Sequence, residues 1–173
     1  MERRFPNILS LLSACLVHDE YPDTAPLIAS LSHVREVGFF TRSEFLSMCR
    51  WKEPRERLRR YWAANAEDQV QALSRKALSA PDEARRILHL CRLQGVGIPV
   101  ASALLTLTDP ERYGVIDIRV WQVLALYNEV DYDPEGKNLQ ALHWLDYLDK
   151  IRLWAGELRV TARAIERTLF QHH

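Results

Sequence analysis

The sequence has few cysteines and no long apolar run, and each shortage excludes a class of protein. Its 173 residues include three cysteines that lie far apart, Cys15, Cys49 and Cys91. Their number and spacing indicate neither a disulfide framework nor a zinc or iron–sulfur site. No run is long enough to span a membrane, and no signal-peptide cleavage site follows the first apolar stretch. We therefore expect a soluble, cytoplasmic protein whose thiols are reduced.

An excess of charge of one sign is also missing. The 23 Lys and Arg residues equal the 23 Asp and Glu residues, so the formal net charge is zero. No overall field attracts the chain to nucleic acid or membrane, and any site for a polyanion must come from local patterning. Lysine is scarce among the basic residues, and none lies between positions 77 and 136; the four are Lys52, Lys76, Lys137 and Lys150.

Sustained alternation of polar and apolar residues, the pattern of a half-buried strand, is missing as well. Apolar residues recur instead at helical spacing along the whole chain. Thr41 and Glu44 predict a capping box, Asn65 a break between helices, and Ser79 with Pro81 the start of the next helix. The sequence thus predicts an all-α, multi-helix fold. We expect one domain over 1–173 with a motif core at about 80–128, and the terminal helices are candidates for a second lobe.

One short stretch, "LQGVGIPVASALL" at 93–105, has two glycines between two apolar helical runs. Gly95 and Gly97 permit a tight turn, because glycine accepts positive φ without a Cβ clash. Their N–H groups would precede a helix, whose N-terminal dipole favours an anion such as phosphate. The alternative is a plain tight turn between two helices of a bundle.

A second stretch, "YGVIDIRVWQVL" at 113–124, has one aspartate among apolar residues. Asp117 has two interpretations. It is a good N-cap for the helix that follows, and its carboxylate could stabilise a cationic sugar or activate water. The interpretations are compatible, because a cap also holds the carboxylate in place. The basic segment "RWKEPRERLRRYWAA" at 50–64 is either a phosphate-binding patch with stacking aromatics or a solvated helix face with aromatics packed inward.

The hairpin followed by the spaced aspartate resembles the helix-hairpin-helix superfamily of base-excision DNA glycosylases, and in particular its endonuclease III-like group. The match covers about 85–124. The resemblance implies that Gly95, Val96 and Gly97 offer backbone amides to a DNA phosphate. It also implies that Asp117 is the catalytic aspartate and that double-stranded DNA is the partner.

The resemblance further implies a monovalent cation held by the main-chain carbonyls of Cys91, Leu93 and Val96. The chain lacks two sets of reactive residues that occur in the family. Bifunctional members have a Schiff-base lysine two residues after the second hairpin glycine, where this chain has Pro99, and the family's cluster cysteines are absent. Because proline within a chain has no nucleophilic amine, the resemblance implies neither lyase activity through the hairpin helix nor an iron–sulfur cluster.

These observations predict a protein of the base-excision-repair type. It would be a monofunctional DNA N-glycosylase, which extrudes a base and hydrolyses its N-glycosidic bond with the help of Asp117. The alternative is a non-catalytic helix-hairpin-helix module that binds DNA or a protein partner. A cavity with Asp117 in its wall favours the enzyme, and an Asp117 sealed under side chains favours the binding module. The sequence names neither the base nor the oligomeric state.

Overall fold

A computed structural model describes residues 2–53 and 59–173, without the side chain of residue 60. Within these ranges the regular elements are helices and no residue lies in a β-strand, which confirms the all-α class. None of these helices is long and apolar enough to cross a bilayer. The helices are α1 (Ile8–Cys15), α2 (Ala25–Ser30), α3 (Val34–Val37), α4 (Arg42–Lys52), α5 (Arg59–Ala63), α6 (Glu67–Leu78), α7 (Glu83–Leu90), α8 (Ile98–Thr108), α9 (Ile118–Leu126), α10 (Ala141–Leu158) and α11 (Ala162–Gln171).

The predicted helix starts are partly right. The capping box of α4 is confirmed, since the Thr41 N–H donates to Glu44 Oε2 over 2.7 Å and the Glu44 N–H donates to Thr41 Oγ1 over 3.3 Å. The predicted start of α7 is wrong. Ser79 instead ends α6, and the cap of α7 is Asp82, whose carboxylate accepts the N–H three residues later. A carboxylate next to the helix therefore outcompetes the earlier serine and proline signals.

Helix α8 lies at the centre of the fold. Every residue from Val100 to Thr108 is buried, and α8 packs against α2, α4, α7 and α10. Its hydroxyls are satisfied inside the helix, because Thr106 donates to the Ser102 carbonyl over 2.8 Å and Thr108 donates to the Leu104 carbonyl over 3.0 Å. The helix can thus be surrounded on all sides without leaving these polar groups unpaired.

The predicted break at Asn65 is confirmed, since α5 ends at Ala63 and α6 begins at Glu67. The Asn65 side chain is buried and makes a reciprocal contact with the hairpin. Its Oδ1 accepts the Gln94 N–H over 2.8 Å, and its Nδ2 donates to the Gln94 carbonyl over 3.1 Å. The break between α5 and α6 therefore fixes the position of the turn between α7 and α8.

Candidate functional site

The two glycines of the hairpin have different structural roles. Gly95 has φ +76°, and a Cβ there would lie 2.9 Å from Trp62 Cδ1, so neither the backbone nor the space admits a side chain without strain. Its carbonyl accepts the Trp62 indole N–H over 3.0 Å. Gly97 has φ −96° and is the N-cap of α8, and a Cβ there would lie 3.9 Å from Pro99 Cδ, an ordinary contact. Gly95 thus shapes the turn, and Gly97, which has no side chain, leaves the backbone of the turn exposed.

The three hairpin amides are not equally available to an anion. The Val96 N–H donates to the Leu93 carbonyl over 3.2 Å, and Val96 is buried. The N–H groups of Gly95 and Gly97 donate to no residue in the described ranges, and both glycines are exposed. Two backbone N–H groups, at the cap of the 11-residue helix α8 and two residues before it, are therefore unpaired within the described ranges, and a helix N terminus favours an anion.

The three carbonyls predicted to hold a monovalent cation belong to this same turn. The Leu93 carbonyl accepts the Val96 N–H, and the carbonyls of Cys91 and Val96 accept no hydrogen bond from the described residues. The two unpaired carbonyls, of Cys91 and Val96, fit the oxygen ligation that such a cation needs, and the Leu93 oxygen has a second lone pair. The cation stays a prediction. In the described ranges no group of three or more His, Cys, Asp and Glu side chains could hold a metal ion.

Asp117 is the N-cap of α9, as the sequence predicts. Its Oδ1 accepts the N–H groups of Arg119 and Val120 over 3.0 and 3.1 Å. Its Oδ2 accepts a hydrogen bond from Lys52 Nζ over 3.1 Å, a contact that the sequence analysis missed. The side chains of Asp117 and Lys52 keep 18% and 17% of their surface exposed. The carboxylate is therefore held on both sides but is not sealed.

The chain that leads to Asp117 is tied to α8 and α10. Buried Ser102 donates its hydroxyl hydrogen to the Pro99 carbonyl over 2.9 Å and accepts the Ile116 N–H over 3.1 Å. The buried Tyr147 hydroxyl donates to the Val115 carbonyl over 3.0 Å. Asp117 is thus positioned from the same helix that carries the hairpin.

Gly114, three residues before Asp117, allows this segment to approach α10 and α11 closely. A Cβ at Gly114 would lie 2.8 Å from Glu166 Cβ and 2.9 Å from Ile151 Cδ1. The glycine is therefore required by packing, although the sequence analysis gave it no role.

A partly open cavity of about 780 Å³ lies in front of Asp117. This volume is within the range of small-molecule sites, roughly 300 to 1,000 Å³. Its wall combines three aromatic side chains with apolar and charged groups from α4, α8, α9, α11 and the chain after α1. The lining residues are Tyr21, Trp51, Lys52, Glu53, Pro99, Val100, Val115, Asp117, Ile118, Arg119, Arg163, Glu166 and Phe170.

A buried group of ion pairs forms part of the cavity wall. Arg163 donates to both oxygens of Glu20, over 2.9 and 3.1 Å, and to Glu166. Burial opposes the ionisation of Glu20, but the hydrogen bond and charge of Arg163 outweigh it and lower the Glu20 pKa. Complete burial, with the charge of Asp117 nearby, raises the pKa of Glu166 against the pull of Arg163. Two carboxyl groups on one arginine thus have pKa values shifted in opposite directions.

The basic segment at 50–64 is described in part, and Arg55 and Arg57 lie outside the described residues. Its two tryptophans lie in different surroundings. Trp62 is fully buried, so the inward-packed interpretation is the better one for this residue. Trp51 is partly buried and lines the cavity, with its indole N–H donated to Thr24 Oγ1 over 2.9 Å.

Comparisons with protein-family models, with curated proteins and with solved structures find no match for this chain.

Proposed function

We propose that this chain binds duplex DNA and hydrolyses the N-glycosidic bond of a base extruded into the cavity. The observation that carries the proposal is the position of Asp117. Its carboxylate lies in the wall of an open cavity, and that cavity also includes Pro99 and Val100 from the first turn of the hairpin helix α8. The hairpin helix, with the proposed phosphate site just before it, and the carboxylate that would act on the sugar thus belong to neighbouring parts of the molecule.

Binding would begin at the hairpin. The exposed amides of Gly95 and Gly97 can donate to a backbone phosphate, with the dipole of α8 behind them. Such contacts fix the position of a protein on DNA but do not read its sequence. They need no lysine or arginine, which suits a chain whose formal net charge is zero. We therefore expect duplex binding to depend only weakly on salt.

The cavity suits a planar heterocycle. Tyr21, Trp51 and Phe170 offer ring surfaces, and the exposed Arg119 offers a polar group for the edge of a base. Extruding a base costs a few kcal/mol, and a mismatched or damaged base costs the least. Selection for a weakly paired base would follow from this cost together with the shape of the wall.

Asp117 would act on the sugar. Loss of the base leaves positive charge at C1′, and a fixed carboxylate stabilises that charge because it needs no reorganisation during the reaction. Its two amide contacts and its contact with Lys52 hold it in one orientation. Water attacking C1′ would give up its proton to the carboxylate.

One observation favours the alternative, a non-catalytic module that binds DNA or a protein. Lys52 pairs with Asp117, and this ion pair satisfies the carboxylate without any substrate. A panel of duplexes, each with one damaged or mismatched base, distinguishes the two functions. We expect the full chain to generate abasic sites in at least one duplex. Duplex binding without release of any base would support the module.

A further inference from the structure

One peptide plane in the turn between α7 and α8 decides which backbone group faces outward. The Val96 N–H donates to the Leu93 carbonyl over 3.2 Å, so residues 93–96 form a hydrogen-bonded β-turn. Gly95, the third residue of this turn, has φ +76°, and the φ of Gln94 is not positive. This combination is that of a type II turn. A type I turn differs from it mainly by a rotation of about 180° of the peptide between the two central residues.

Asn65 holds this peptide plane from the inside. Its Nδ2 donates to the Gln94 carbonyl over 3.1 Å, and its Oδ1 accepts the Gln94 N–H over 2.8 Å. A trans peptide is planar, and its C=O and N–H point in opposite directions. Because the Gln94 carbonyl is held inward, the Gly95 N–H of the same plane is directed outward. That N–H donates to no residue in the described ranges, and Gly95 is exposed.

The surroundings of Asn65 fix the orientation of its side-chain amide. Besides the Gln94 carbonyl, Nδ2 contacts the carbonyls of Tyr61 and Trp62, over 3.3 and 3.0 Å. Three carbonyls around one atom and an N–H at the other identify the nitrogen and the oxygen. The Asn65 main-chain carbonyl accepts a hydrogen bond from Arg42 Nε over 2.8 Å, and the side chain is buried. Asn65 is therefore itself held on the side away from the turn.

We propose that Asn65 is the positioning residue of the hairpin. By keeping the turn in its type II form, it presents the Gly95 N–H, a donor, in place of the Gln94 carbonyl, an acceptor. Glycine adopts negative φ as readily as positive φ, so Gly95 permits both turn types and the contact from Asn65 selects one. An outward N–H attracts a phosphate, and an outward carbonyl would repel it. That this phosphate belongs to a DNA backbone rests on the function proposed above.

The test measures the turn conformation and the duplex affinity of the full chain. Asn65→Ala removes both contacts with Gln94. The nuclear Overhauser effect (NOE) between the Gln94 Hα and the Gly95 amide hydrogen is strong in a type II turn and weak in type I, because the rotation separates the two hydrogens. We expect Asn65→Ala to weaken this NOE. We also expect it to weaken duplex binding about tenfold in fluorescence anisotropy, the effect of losing one hydrogen bond to a charged group.

Ser74→Ala is the matched control. It also removes a buried side-chain acceptor of a backbone N–H, that of Phe40, but Ser74 hydrogen-bonds to no hairpin residue. We expect it to lower the free energy of unfolding while the NOE and the duplex affinity stay at the wild-type values. The control thus separates the positioning of the turn from a general loss of stability.

A second variant covers the case in which Asn65→Ala does not fold. Asn65→Asp keeps an oxygen for the Gln94 N–H and replaces Nδ2 by an oxygen that repels the Gln94 carbonyl. It is used for the NOE alone, because its charge would itself weaken duplex binding. We expect the NOE to weaken in this variant as well.

A weakened NOE together with weaker duplex binding supports the inference. An unchanged NOE overturns it. A weakened NOE at unchanged duplex affinity also overturns it, and the proposed function then survives. If wild type binds no duplex, the proposed function fails, and titration with inorganic phosphate decides the inference. The amide signal of Gly95 should then shift in wild type and shift less in Asn65→Ala, and equal shifts or no shift would overturn the inference.

Discussion

Lys52 Nζ and Asp117 Oδ2 lie 3.1 Å apart, although 65 positions separate the two residues in the chain. The contact joins the end of α4 to the start of α9 and places a cation and an anion in one cavity wall. Because each side chain keeps a part of its surface exposed, a substrate can reach the pair. The chemistry proposed for this protein depends on that access.

Ser102 should control the position of Asp117 without touching a substrate. Its fully buried hydroxyl accepts the Ile116 N–H, next to Asp117 in the chain. Ser102→Ala leaves this amide unpaired, which should lower the free energy of unfolding by about 1 to 3 kcal/mol. We also expect slower base release at unchanged duplex affinity. Urea unfolding and single-turnover kinetics measure the two effects. Normal stability with normal kinetics would show that Ser102 does not hold this segment.

Substitutions at the two hairpin glycines should separate effects on folding from effects on duplex binding. At Gly97 φ is negative and a Cβ would make only an ordinary contact with Pro99, so we expect Gly97→Ala to unfold normally. It should bind duplex more weakly, because a methyl group would obstruct the approach of a phosphate. Gly95→Ala forces a side chain into a left-handed conformation against Trp62 and should cost about 1 to 2 kcal/mol or more. Thermal unfolding and fluorescence anisotropy with a labelled duplex report the two effects. If Gly97→Ala binds duplex like wild type, the phosphate contact is not at this backbone.

The sequence predicted those features whose causes are local. The capping box of Thr41, the break at Asn65 and the cap at Asp117 each depend on neighbouring residues, and all three are confirmed. The start of α7 was misplaced, because Asp82 competes with signals only a few residues away.

The cavity wall depended on contacts between distant segments, and no local pattern reveals these. One feature of the sequence could have drawn attention to Lys52, since it is the only lysine of the arginine-rich segment at 50–64. Its distance from Asp117 follows from the packing of α4 against α8. The role of Gly114 likewise depends on how closely α10 and α11 approach it.

The ionisation of Glu20 should make the free energy of unfolding depend on pH in the acid range. Its pKa in the folded protein lies below the ordinary value of 4.5. It therefore stabilises the fold above about pH 4.5 and loses this effect as the pH falls through its folded pKa. Glu20→Gln should cost about 2 kcal/mol at pH 7, because it weakens a charged hydrogen bond to Arg163. The difference from wild type should shrink below pH 4.5.

Urea unfolding of both proteins across this pH range measures the effect. The matched control is Asp146→Asn, which removes a largely exposed partner of Lys150 and should change stability by about 0.5 kcal/mol or less. A Glu20→Gln penalty that stays constant down to pH 3 would mean that the carboxylate charge is not its source.

The measurement that tests the central claim most directly is base release by Asp117→Asn. Asparagine keeps an oxygen that can accept the N–H groups of Arg119 and Val120, so the cap of α9 and the fold should persist. It removes the negative charge that would face the sugar in the proposed reaction. Asp82→Asn is the matched control, because it makes the same change at the cap of α7, which is outside the cavity. On the duplex that wild type processes best, we predict that Asp117→Asn binds normally but releases the base at about one hundredth of the wild-type rate or below. Asp82→Asn should release the base at the wild-type rate. Release by Asp117→Asn at the wild-type rate would contradict the assignment of Asp117 as the catalytic carboxylate.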